Sequence, residues 1–162
     1  MTGPQIDSAD FRSAVGAFLA GRSTLTLATV DAQGRPLAAN LFFASDADLN
    51  LYWVSGASSR HSLNLRRSAW AAVTVHNDTW TWAEIAGVQM EGQAVPLPRR
   101  LEAEAAWVMY LAKFPFAQEF QAEIARSTFY RFKPEWIRLI DNARGFGHKE
   151  ELVLAPPREG LA

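Results

Sequence analysis

The feature that most constrains this chain is a succession of short segments in which apolar, often β-branched residues alternate with polar ones between turn signals. From Thr24 to Val30 the alternation is regular, and Asp31, Ala32, Gln33 and Gly34 follow with hairpin chemistry. The pattern predicts a second strand from about Pro36 to Ala44, a third over Leu49–Val54, a fourth over Ala69–His76 and a long fifth over Ile85–Val95. Thr128–Ile140, broken only by Pro134, reads as another strand, and Lys149–Leu154 as a last short one. Strands that follow one another through short turns pair antiparallel, so the expected fold is mainly β with peripheral helices (α+β), built around a small antiparallel barrel.

Helical spacing occurs in four places. Ser8 can cap a helix carrying Phe11, Val15, Phe18 and Leu19 on one face, with Gly21 placed to end it. Gly56–Ser68, with Leu63 and Leu65 among polar residues, suits a short crossing helix. Leu101, Ala105, Val108 and Ala112 mark a helix within Pro98–Ala112, and a further piece, Phe116–Arg126, follows Pro115. No repeat or linker divides the 162 residues. Residues 1–155 are therefore expected to form a single domain, and 156–162 a loose tail.

A formal charge of −1 provides no basic field for nucleic acid or an anionic membrane surface, so neither is an expected partner. The absence of cysteine removes disulfides, thiolate metal sites and a Cys nucleophile. His61, His76 and His148 lack metal-ligand spacing, so no metal site is expected. No G-x-S-x-G elbow, G-x-G-x-x-G turn or Walker loop occurs. Asp7, Asp10 and Arg12 interrupt the first 20 residues and no apolar stretch approaches 18, so the chain reads as cytoplasmic, without a signal peptide or membrane span.

Ser55, Gly56, Ala57, Ser58, Ser59, Arg60 and His61 follow the end of a predicted strand and open a predicted helix. Exposed backbone N–H groups, serine hydroxyls, the positive end of the helix and a guanidinium together suit an anion. Taken alone, the same residues also describe an ordinary capped helix with a solvated arginine. Trp80 and Trp82, two apart, would share one strand face and serve core or interface packing, or stack on a ligand. The tryptophans at 53, 70, 107 and 136 read as core. His76 reads as a strand-end residue at a turn, and His148 as part of a hairpin into the last strand.

The order of Ala28, Thr29, Val30, Asp31, Gly34 and Pro36, then Leu51 to Ser55, then Ser59, Arg60 and His61 resembles the pyridoxamine 5′-phosphate oxidase-like family of FMN-binding split barrels. In the family's pattern Ser55 stands at a threonine, Gly56 at an asparagine, and Ser59, Arg60 and His61 at a Ser-Arg-Lys triplet. Gly87 to Gly92 resembles a strand of V-x-x-x-G type that these barrels share. Lys113, Phe114 and Pro115, with Asp141 to Gly147, are similar to an uncharacterised bacterial branch of the superfamily.

The resemblance implies a split β-barrel binding FMN at a homodimer interface. The ring edge would meet backbone groups near Ala39, Asn40 and Leu41, Val54 and Ser55 would line the other side, and Ser59, Arg60 and His61 would hold the phosphate. Three departures bear on the grip: Ala39 and Ala44 stand where the oxidases carry basic residues, and His61 replaces a lysine. The oxidases' C-terminal substrate motif has no counterpart, so pyridoxamine phosphate is not an expected substrate. Two functions follow as expectations: an FMN-dependent oxidoreductase of unassigned substrate, or a non-enzymatic module that binds flavin, haem or a deazaflavin.

Overall fold

The structure is a computed structural model and describes residues 8–98 and 101–154; the tail expected over 156–162 lies outside them. In β1 (Thr24–Val30) Leu25, Leu27 and Thr29 turn inward, as the alternation requires. Its hairpin to β2 (Pro36–Phe42) is fastened by the Asp31 carboxylate, which accepts from the backbone N–H groups of Gln33 and Arg35 at 2.9 Å each. Gly34, at φ 76°, supplies the left-handed residue that closes the turn.

Beyond Phe42 the strand expected to run to Ala44 divides. Phe43 is fully buried, and the next two residues form β3 (Ala44–Ser45), paired with β4 (Leu51–Ser55) and not with β1. The sheet order is β2-β1-β5-β6-β7-β4-β3, with β5 at Trp70–His76, β6 at Ala86–Pro96 and β7 at Thr128–Asp141. The continuous segment Pro36–Ser45 thus supplies both ends of the sheet and closes it into a barrel. β8 (Lys149–Val153) pairs with the second half of β7, while β4 pairs with the first half.

Pro134 does not end β7. The register with β6 shifts between Glu91 and Gly92, so that Gly92 faces Pro134 and Glu135 is the extra residue of a bulge. A Cβ on Gly92 would sit 2.1 Å from the Lys133 carbonyl oxygen, so only glycine admits this approach.

Inside the barrel, α1 (Ser8–Ala20) inserts Phe11, Val15 and Leu19 against Leu25, Trp53, Met90, Phe132 and Ile137. Trp53 stacks on Tyr130, its cross-strand neighbour, at 5.8 Å. A second apolar cluster lies outside the sheet, where Ala106 and Tyr110 of α3 (Leu101–Lys113) cover Ala44, Leu97 and Phe129. Lys113 joins the two layers, donating to the Leu19 carbonyl at 3.1 Å with its ammonium 4.1 Å from the Phe43 ring centroid. Burial pulls its pKa down to about 8. The helical piece expected over Phe116–Arg126 resolves into a 3₁₀ turn, Pro115–Phe120, and α4 (Gln121–Ala125).

The tryptophans depart from expectation. Trp80 and Trp82 lie on a loop and a 3₁₀ turn (Trp82–Glu84), where strand alternation does not apply, and Trp80 is fully exposed. Trp70 takes an outward position on β5 and is 39% exposed, while Trp107 and Trp136 are half-buried; of the four read as core, Trp53 alone is buried. No helix among the described residues is long and apolar enough to cross a membrane.

Candidate functional site

α2 (Arg60–Arg67) starts five residues after β4 ends. Ser59 is its N-cap, extended at φ −62° and ψ 149°, and its Oγ accepts from the Ser62 N–H at 3.3 Å. His61 Nε2 lies 3.0 Å from Ser59 Oγ and 2.8 Å from Ser55 Oγ, and Ser59 Oγ donates to Ser62 Oγ at 2.8 Å. Ser55, His61, Ser59 and Ser62 therefore form one hydrogen-bonded chain from the last residue of β4 into the first turn of α2. Burial lowers the His61 pKa below its usual 6.5, so the ring is mainly neutral near pH 7.

Arg60 is exposed and, among the described residues, has no hydrogen bond or ion pair. The N–H groups of Arg60 and His61 belong to the first helical turn and have no intrahelical acceptor. Two open donors, a free guanidinium and the positive helix end thus face the same solvent. The rest of α2 is anchored: Asn64 donates to Thr29 Oγ1 at 3.0 Å, Arg67 to the Asp31 carbonyl at 2.7 Å, and Arg66 to the Ala57 carbonyl. Arg67 is thereby held against the β1–β2 turn, whereas Arg66 is tied into the loop that precedes Ser59, its guanidinium beside the helix start. Sequence reasoning did not find these anchors. Only the Ser59-x-x-Ser62 spacing carried a local signal, that of a cap.

The other expected site residues divide. Ser55 faces the barrel interior, whereas the side chain of Val54 points outward into the cluster beneath α3. Ala39 and Leu41 are half-buried on the inner face of β2, and Asn40 is on the outer face, where Thr26 Oγ1 donates to its Oδ1 at 2.8 Å. β2 approaches β4 at the barrel closure, and its outer edge has no strand partner among the described residues. Ala44 is buried under α3.

A second group of exposed residues occupies the far end of the barrel. Trp82 and Phe146 meet edge to face at 5.7 Å, tied by Asn142, which donates to the Trp82 carbonyl and accepts from the Gly147 N–H. Glu150 pairs with Arg144 and stands 3.2 Å from His148. This group adjoins Asp141, the last residue of β7, whereas Ser55 pairs with Thr128, the first. At about 3.3 Å per residue the path along β7 between its two ends is at most roughly 40 Å. Within one chain, Trp80 and Trp82 are thus remote from Ser59–His61. Among the described residues no three His, Asp or Glu side chains converge on a possible metal site.

The sequence profile described as pyridoxamine 5′-phosphate oxidase matches residues 11–141. The chain belongs to that family. Among relatives of this pyridoxamine 5′-phosphate oxidase-like chain, the UPF0306 protein YhbP of Salmonella paratyphi A is 33% identical over 144 residues, covering 86% of this chain and 91% of that protein. Among solved structures, the heme binding protein from Mycobacterium smegmatis superposes with a TM-score of 0.73 at 19% identity, covering 91% of this chain and 59% of that one. HutZ, the heme storage protein from Vibrio cholerae, superposes with a TM-score of 0.67 at 20% identity, over 76% of this chain and 89% of that one. At these identities the likeness to solved structures establishes the split-barrel fold shared with the family.

Proposed function

We propose that this protein binds FMN through the start of α2 and acts as a flavin-dependent oxidoreductase of unassigned substrate. The observation that carries the reading is the pairing of an unpartnered Arg60 with open N–H groups at a Ser59-capped helix, in a chain of the pyridoxamine 5′-phosphate oxidase family. These groups fit a phosphate: the guanidinium supplies fixed charge and the first-turn amides supply direction. His61, tied to Ser55 and Ser59, holds the cap in place and provides a second, titratable charge. Flavin, when bound, supplies hydride and electron transfer, leaving this chain to orient the ring and shield it from water. The open edge of β2 at Ala39, Asn40 and Leu41, with Ser55 and the backbone of Val54, is the surface offered to the ring.

The binding unit is proposed to be a homodimer. Trp80, Trp82 and Phe146 are exposed at the end opposite Arg60, and a two-fold axis across the barrel would bring that end of one copy to the phosphate loop of the other.

The solved neighbours that are heme-binding and heme-storage proteins favour a second reading, in which the barrel holds haem without catalysis. His76 is the histidine best prepared for an iron, since its Nδ1 lies 2.9 Å from the Asn77 carbonyl and its Nε2 has no partner among the described residues. Titration of FMN and riboflavin against the wild type and Arg60→Ala tests the first reading. Loss of charge-assisted bonds worth roughly 1.5 to 3 kcal/mol weakens FMN by about 10- to 150-fold and leaves riboflavin nearly unchanged. Equal losses for both ligands would remove the phosphate from Arg60.

A further inference from the structure

A pocket of about 350 Å³ lies between α3, α4 and the first residues of β7. Its volume falls at the lower end of the range for small-molecule sites. Trp107 and Phe129, packed edge to face at 6.5 Å, form its aromatic wall, and Leu97 and Ile124 complete the apolar lining. Glu104 is the one ionisable side chain among the lining residues. Its neighbour Glu102 faces Arg131 at 3.9 Å, whereas Glu104 has no ion pair or hydrogen bond among the described residues. The remaining polar groups, those of Gln121, Ser127 and Thr128, are neutral.

The pocket also borders the helix-start site. Thr128, which lines it, is the ladder partner of Ser55, and antiparallel partners are about 5 Å apart between Cα atoms. The ligand pocket and the Ser55–His61–Ser59 chain are therefore one cross-strand step apart.

We infer that this pocket binds small amphipathic amines, with an aromatic or aliphatic body against Trp107 and Phe129 and a cationic head between the Glu104 carboxylate and the Trp107 ring. A carboxylate and an indole face both attract a cation, and the walls around them accept an apolar body of one or two rings. Among the described lining residues an anionic ligand meets only the Glu104 carboxylate and is disfavoured. The inference stands on this pocket's own residues and does not require flavin at Arg60.

Three probes of one shape and different charge test it: naphthylmethylamine, naphthylmethanol and naphthylacetate, titrated by calorimetry at low salt into the full-length protein. An exposed ion pair and a cation–π contact together predict that the amine binds about tenfold more tightly than the alcohol, with the acid weakest. Glu104→Gln, on the exposed face of α3, should cut the amine's advantage to the roughly two- to fivefold that the Trp107 ring sustains and leave the alcohol unchanged. Trp107→Ala should weaken all three. The proposal is overturned if none of the probes binds, if alcohol or acid equals the amine, or if the amine's advantage is undiminished in Glu104→Gln. FMN titrated into the same samples separates the two sites, since loss of FMN binding in the wild type would leave the amine result standing.

Discussion

His61 shows how much one ring can do at a site with little fixed charge. Its Nε2 is within hydrogen-bond reach of both Ser55 and Ser59, and burial keeps it mainly neutral. A phosphate dianion nearby raises the imidazole pKa, so the complex binds more protons than the free protein across the interval between the two values. FMN affinity should therefore fall as pH rises through the interval between the two values, which opens below pH 6.5, by about tenfold in all if the complexed ring titrates one pH unit higher. The phosphate's own second ionisation acts in the opposite sense, and a parallel titration of His61→Gln isolates the histidine's part. A wild-type profile with the same slope as His61→Gln would confine His61 to holding the cap. Ser59 and Arg60 were legible in the sequence because a cap and the residue after it are contiguous. Asn64 and Arg67 were not, because their partners, Thr29 and Asp31, are more than thirty residues away.

At the scale of elements, alternation found β1, β2 and the long strands β5 to β7 to within a few residues, since each buries one face against α1 or the opposite wall. The division at Phe43 was invisible. Both halves of Pro36–Ser45 keep an extended pattern, and only tertiary closure assigns them to different ends of the sheet. Trp80 and Trp82 misled in the opposite way, as spacing of two implies a shared face only where a strand exists. The β6–β7 bulge depends on one glycine. Gly92→Ala drives a methyl into the Lys133 carbonyl, which belongs to the backbone and cannot swing aside, so a loss of roughly 3 kcal/mol is expected. For a chain of this length that corresponds to a fall in Tm of roughly 6 to 12 °C by calorimetry. Gly16→Ala, in the interior of α1 with its nearest neighbour at an ordinary 3.7 Å, should instead leave Tm level or raise it slightly. Equal behaviour of the two variants would mean that the bulge relaxes freely.

For the whole molecule, the barrel and its helices were readable from strand order and turn chemistry, and the family from the order of short motifs. What the sequence could not convey is that the barrel has two chemically different ends, because their separation follows from the length and register of β7. One end carries Arg60 and an open helix start; the other carries exposed aromatics and the Arg144–Glu150 pair. In the proposed homodimer the two ends would complete one another, which would give the exposed Trp80 a role that a single chain does not. The most direct test is to offer the purified protein equimolar FMN and haem, remove unbound ligand, and record the visible spectrum together with the sedimentation mass. A dimer carrying the flavin bands, with rapid oxidation of NADH or NADPH as a further mark of catalysis, is the predicted result. A haem Soret band without flavin would contradict it.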